Sequence, residues 1–330
     1  MAAVLLGTAV LIGALLAVQA SANVQLTKAV GTPYGASTLQ LWLAAGLLAV
    51  LAVLAGGLGA SGGVDDVPLW YLVGGLASPL YITSGILLFP RMGALAAGGL
   101  FVAGQMLASV ALDLFGWLGV PRQSLGPGIA VGSLAVLAGI TTIVRGQQPV
   151  ATPRPAAVAS TPRAEVPATA QAKDGPHVPT IRPAWILLGL VAGAVLPAQG
   201  AINARLRSSL DQPIAVALVS FTVAALTISV VLLALLATRR TSQPRLPSAA
   251  MPWWGWVGGL CAAGYVTGTF VLIPEIGASV TVALTVTGQQ FASAAMDTHG
   301  WLRLPRRPFT RTRAIGLLLL VTGSLLVQLH

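Results

Sequence analysis

The sequence predicts an all-α membrane protein of ten transmembrane helices, arranged as two inverted five-helix repeats. Three observations predict it. The 330-residue chain is 55% hydrophobic and only 8% charged, whereas soluble domains carry roughly 25% charged residues. Its apolar residues gather in runs of about 20, the length at which a helix crosses a hydrocarbon core of roughly 30 Å. The second half of the chain also repeats the residues of the first.

The apolar segments fall at 4–26, 35–58, 68–89, 93–115 and 125–144. Within the first, "AVQASA" at 17–22 has the look of a signal-peptidase site. No Lys or Arg precedes the apolar run as a secretory signal requires, and a counterpart recurs in mid-chain, so the segment is read as a membrane helix. Residues 146–182 then hold seven prolines and no apolar run. Such a stretch buries too little surface to offset its chain entropy, so it reads as a solvent-exposed linker. Five more apolar segments follow at 183–206, 213–237, 253–274, 277–297 and 313–329. The expected organisation is a first repeat at 1–145, a Pro-rich cytoplasmic linker at 146–182 and a second repeat at 183–330.

The halves align residue by residue. Gln19, Asn23, Leu26 and Pro33 match Gln199, Asn203, Leu206 and Pro213 at an offset of 180. Further on the offset is 184: Pro68, Trp70, Gly74, Gly75, Tyr81, Pro90 and Gly93 match Pro252, Trp254, Gly258, Gly259, Tyr265, Pro274 and Gly277. "GQMLASVALDLFGWLGVPR" (104–122) matches "GQQFASAAMDTHGWLRLPR" (288–306). Gly132 and Gly139 recur as Gly316 and Gly323. Duplicated helical bundles of this kind are characteristic of secondary transporters.

An odd number of helices per repeat makes the second half enter the membrane from the opposite side. Charge agrees. With the amino terminus outside, only Arg122, Arg205 and Arg207 of the 18 basic residues fall in outer loops. Without the linker and Arg145 at its edge, the inner-to-outer split is still ten to three. The positive-inside rule therefore predicts both termini outside and the linker in the cytoplasm. The net charge of +10 is first a topology signal, with contact to anionic lipid headgroups as a side effect. Nucleic-acid binding is not expected.

Catalysis has little to work with. The lone Cys261 excludes an internal disulfide and any cysteine-based metal site. The histidines are His177, His299 and His330, with no HExxH cluster, Walker loop or GxSxG elbow. No enzyme activity, metal or cofactor is expected.

The polar residues inside apolar helices carry the functional reading. Spacing of four puts Gln19 with Asn23, and Gln199 with Asn203, on one helix face. Lipid-exposed amides are costly, so these faces point into the bundle. They either bond neighbouring helices or line a solute cavity between the halves. The asparagines, nearer the helix ends, also fit as caps. Gln105 and Gln289 fall near the midplane, and Pro197 is expected to kink its helix just before Gln199. Tyr81 and Tyr265 occupy equivalent mid-helix places, where a buried phenol seeks a partner. Asp113 and Asp297 each precede an arginine by nine residues, Arg122 and Arg306. They form either structural ion pairs or gate carboxylates, one per face. Most of the eight tryptophans flank span ends as interfacial anchors.

The stretches "LPAQGAINARL" (196–206), "ALVSF" (217–221), "WGWVGGLCAAGYV" (254–266), "GQQFASAAMDTHGW" (288–301) and "LPRRP" (304–308) resemble the YdcZ-like family of bacterial inner-membrane proteins, within the drug/metabolite transporter superfamily. The resemblance covers the chain outside the linker and is better in the second half. In the first half Ala17 stands for Pro197, and Gln40 and Leu41 stand for Ser220 and Phe221. Many members look like one five-helix unit, and this chain looks like two fused. The resemblance implies an inner-membrane secondary transporter, an exporter of small organic metabolites or drugs working by alternating access. The competing readings are a non-catalytic membrane scaffold or accessory subunit, and a lipid flippase. The expected partners are a small-molecule solute and membrane lipids, with a homo-oligomer left open.

Overall fold

A computed structural model describes residues 2–56, 67–120, 122, 124–146, 182–210, 212–247 and 251–328. The expected linker, apart from its two end residues, lies outside the described residues. Among the described residues the fold is all α: α1 Ala2–Val30, α2 Pro33–Leu54, α3 Ala77–Met92, α4 Ala94–Phe115, α5 Pro127–Arg145, α6 Pro183–Leu210, α7 Pro213–Ala237, α8 Val257–Ile276, α9 Ala278–His299 and α10 Arg311–Gln328. Short 3-10 turns, Leu69–Leu76 and Trp253–Trp256, lead into α3 and α8.

Proline and glycine set the boundaries. Four helices begin at Pro33, Pro127, Pro183 and Pro213, where the missing N–H costs nothing. Gly93 and Gly277, both at φ +84°, separate α3 from α4 and α8 from α9. After α4 and α9 the chain turns through the left-handed region at Gly116–Leu118 and again at Gly300–Leu302. The repeat is thus written in the backbone as well as the side chains. α1 and α6 each run four residues beyond the expected end, and α6 passes through Pro197 without a break in helical structure. That proline supplies no N–H to the Gly193 carbonyl one turn earlier.

Among the described residues nine helical segments are long and apolar enough to cross a membrane. α9 is not among them, although its 22 residues span about 33 Å at 1.5 Å per residue. Four threonines, two glutamines, two serines and Asp297 dilute its apolar character.

Packing exchanges the halves. α1 lies against α9 and α8, and α6 correspondingly against α4 and α3; α2 pairs with α7, and α5 with α10. Glycines make these approaches. A Cβ at Gly13 or Gly288 would run into α9 or α1 backbone, at Thr285 and Val10; one at Gly193 or Gly104 would run into α4 or α6, at Phe101 and Leu190. Close backbone approach through small residues is how helices associate without a hydrophobic driving force. Between α5 and α10, Gly132 faces the Gly323 carbonyl and Gly139 the Gly316 carbonyl. The main core surrounds α4, where Leu95, Leu100, Phe101 and Met106 are fully buried.

Candidate functional site

Two repeat-related polar clusters grip the entrances to α3 and α8. In one, Gln199 of α6 donates to Ser78 Oγ at 2.9 Å and to Ser220 Oγ at 3.4 Å, and Asn203 donates to Ser220 at 3.2 Å. The Asn203 oxygen presses on Gly74, where a Cβ would lie 2.6 Å away. In the other, the Asn23 oxygen presses on Gly258, and Gln40 donates to the Gly258 carbonyl at 3.4 Å. Each Asn–Gly contact joins a helix of one half to the other half. Because the glycines lack a side chain, the amide can rest on the neighbouring backbone. Neither asparagine caps its own helix: both lie inside α1 and α6, more than one turn from the end.

The clusters differ in state. Gln19, Asn23 and Gln40 are at most 5% exposed, and Gln19 Oε1, Asn23 Oδ1 and Gln40 Oε1 meet no hydrogen-bond partner among the described residues. Gln199 and Asn203 retain partial exposure, although Asn203 Oδ1 likewise meets no partner among the described residues.

Between the clusters, Gln289 of α9 donates to the Tyr81 hydroxyl of α3 at 3.2 Å, and the Tyr81 ring packs 4.8 Å from Phe101. Tyr265 lies beside Thr285 of α9 and close enough to Tyr81 to interact electrostatically. The structure therefore brings Tyr81, Tyr265 and Gln289 together. Gln105 is partly exposed on α4.

The expected aspartate–arginine pairs do not form. Arg122 and Arg306 turn back over their own helix ends, donating Nε to the Phe115 and His299 carbonyls at 3.1 Å each. The left-handed turns at Leu118 and Leu302 aim them there. Asp297 instead forms an ion pair with Arg313 of α10, and it accepts from the Ala94 and Leu95 N–H groups at 2.7 and 3.2 Å. The carboxylate thus caps α4, where the helix dipole favours an anion, although it stands near the end of α9, where the dipole does not. Arg307 completes this clasp: its N–H donates to the Asp297 carbonyl oxygen at 2.7 Å and its guanidinium to the Arg91 carbonyl at 3.0 Å. Desolvation pushes the Arg307 guanidinium down from its ordinary value; Asp297 opposes this and Arg313 adds to it. Asp113 forms no ion pair among the described residues.

Sequence reasoning missed Ser78, Ser220, Arg313 and Arg307. Ser220 carried a signal, since it stands where Gln40 stands in the first repeat. Among the described residues no three His, Cys, Asp or Glu side chains gather to hold a metal.

A family model described as "Putative inner membrane exporter, YdcZ" matches residues 4–142 and again 184–326. No curated protein matches the sequence. Among solved structures, one described as "Crystal structure of protein" is similar over 99% of this chain and 96% of that chain, with a TM-score of 0.56 and 18% identity. That likeness is one of fold.

Proposed function

The chain belongs to the YdcZ family of the drug/metabolite transporter superfamily, and from that premise we propose that it is a secondary transporter exporting small organic metabolites or drugs by alternating access. It is a multi-pass inner-membrane protein of a transporter family, not an enzyme. The observation that carries the mechanism is the exchanged packing: α1 on α9 and α6 on α4, with equivalent glycines at both contacts. Two five-helix units related this way, 1–145 and 183–330, give two similar arrangements that differ in which end is closed.

The solute site in this reading lies between the halves, among Gln19, Asn23, Gln199 and Asn203, with Gln105, Gln289, Tyr81 and Tyr265 at mid-depth. Amides, hydroxyls and phenols with no charged side chain among them suit neutral or zwitterionic molecules. The basic residues favour both termini outside and residues 146–182 in the cytoplasm.

Flux in proteoliposomes tests the reading. Purified protein reconstituted with a panel of labelled amino acids, sugars and hydrophobic amines is expected to move at least one class across the bilayer. Flux no greater than in protein-free liposomes, with labelled phospholipid crossing instead, would replace the exporter by a flippase. Flux of neither would leave a scaffold.

A further inference from the structure

A polar line runs along two repeat-related helices. Gln105, Ser109 and Asp113 stand four residues apart on α4, and Gln289, Ser293 and Asp297 stand likewise on α9. That spacing holds each set near one helix face. The helices are antiparallel: the late residue Asp297 of α9 reaches the first residues of α4, and Gly98 near the start of α4 meets Gln290 and Ser293. The glutamines therefore fall in the middle and the aspartates at opposite ends. Each set covers about 12 Å at 1.5 Å per residue. Two sets together come close to the roughly 30 Å of a hydrocarbon core.

The two sets are in opposite states. Gln289, Ser293 and Asp297 are at most 2% exposed. Their counterparts Gln105, Ser109 and Asp113 all keep partial exposure. At the Asp297 end a Cβ on Gly98 would lie 3.3 Å from both Gln290 Nε2 and Ser293 Oγ, and one on Gly93 would lie 2.7 Å from Asp297 Oδ2. At the other end a Cβ on Gly277, the counterpart of Gly93, would meet nothing within 4 Å among the described residues. Ser293 Oγ and both amide atoms of Gln290 are buried without a partner among the described residues. Unpaired buried polar groups are costly, so the closed end holds polar surface that water or a solute would satisfy once it parts.

We propose that this line is the solute's route, open at the Asp113 end, with the Asp297–Arg313 clasp as the gate that closes the other end. The proposal rests on the transport reading and adds Ser109, Ser293 and Gln290 to its residues. In the alternate state Asp113 moves toward the α9 N-terminus beside Gly277, as Asp297 now sits on α4 beside Gly93. That second gate is weaker by sequence, because Ile129 and Gln123 stand where Arg313 and Arg307 stand. The weaker lock is the one found undone.

Thiol accessibility tests this. Ser109→Cys, Ser293→Cys and Leu107→Cys are made separately in a Cys261→Ala background. A membrane-impermeant methanethiosulfonate is then added to right-side-out and to inverted vesicles. Leu107 is 39% exposed on α4 and serves as the lipid-facing control. The Ser109→Cys thiol is expected to react from one side only, at least tenfold faster than the Leu107→Cys thiol, while the Ser293→Cys thiol resists from both. Adding Arg313→Met should expose the Ser293→Cys thiol from the side opposite to that of Ser109. Unchanged labelling of Leu107→Cys and an unchanged monodisperse elution profile in the Arg313→Met background show that the protein remains folded. A Ser109→Cys thiol no faster than the control, or a Ser293→Cys thiol equally fast without the added change, overturns the route. Flux is measured separately: flux with inert thiols at both serines defeats the route alone, and labelling as expected without flux defeats transport alone.

Discussion

Asp297 offers a quantitative test of how the clasp is held. Its carboxylate and the Arg313 guanidinium are at most 3% exposed, so neither charge has water to fall back on. Asp297→Asn keeps an oxygen for the Ala94 N–H but removes the charge, leaving Arg313 and Arg307 buried with no anion. Arg313→Met removes the cation and leaves the carboxylate on two backbone N–H groups. Removing one partner of a buried pair costs about 3–5 kcal/mol. The double variant strands no carboxylate and only Arg307, whose guanidinium keeps the Arg91 carbonyl. Its cost should fall short of the sum of the two single costs by about 2 kcal/mol or more, the upper part of the range for contacting groups. Arg306→Ala removes an exposed side chain bonded to a helix-end carbonyl and should cost less than about 0.5 kcal/mol. Reversible unfolding in mixed micelles, followed by helical circular dichroism, supplies the four corners of the cycle. Single costs that add within about 0.5 kcal/mol, or an Arg306→Ala cost equal to that of Arg313→Met, would refute the assignment of the partner.

Three further outcomes follow from the packing. Gln199→Leu loses the bonds to Ser78 and Ser220; helix-to-helix bonds of this type are worth about 0.6–2 kcal/mol, and as a solute ligand the residue should also cost about tenfold in affinity, or 1.4 kcal/mol. Solute affinity unchanged in the folded variant, measured by calorimetry in detergent, would leave Gln199 a purely structural residue. Gly13→Ala meets the Thr285 backbone and should destabilise, whereas Gly7→Ala has nothing within 4 Å among the described residues and should be neutral or gain up to about 1 kcal/mol from helix propensity; equal melting temperatures would refute the close contact. Coexpressed fragments 1–146 and 182–330 should copurify as one folded complex, because the strongest packing joins them; failure to copurify would make the intervening segment part of the fold.

Much of the helix architecture was legible, since a span needs an apolar run and its ends need Pro or Gly. The starts expected at 93, 183, 213 and 277 stand at or beside Gly93, Pro183, Pro213 and Gly277, while Pro33 and Pro127 begin their helices two residues from the expected 35 and 125. The extension of α1 through Lys28 was not, because a helix continues past the apolar run wherever its backbone bonds are still made. The amides at Gln19, Asn23, Gln199 and Asn203 stood out as polar residues in apolar surroundings. Their glycine partners did not, since Gly74 and Gly258 come from the opposite half. The Asp297 partner was misread for a related reason. Proximity in sequence favours Arg306, but the left-handed turn after Gly300 folds that residue back over α9. The α10 N-terminus then delivers Arg313, and the helix being capped lies about 200 positions earlier. Spacing within one helix is visible in a sequence; the choice of neighbour across the bundle is not.

The contact between Gly13 of α1 and Thr285 of α9 also constrains biosynthesis. About 270 residues separate them, and chain elongation at about 5–20 residues per second puts roughly 15–55 s between their appearances. Through that interval α1 waits in the bilayer with Gln19 and Asn23 uncovered, because α8 and α9 have not been made. The early helices must find interim partners, among themselves or in the insertion machinery, and later surrender them. Destabilising changes in the α1 face should therefore lower the amount of protein that accumulates in cells more than they lower the stability of the molecules that complete assembly.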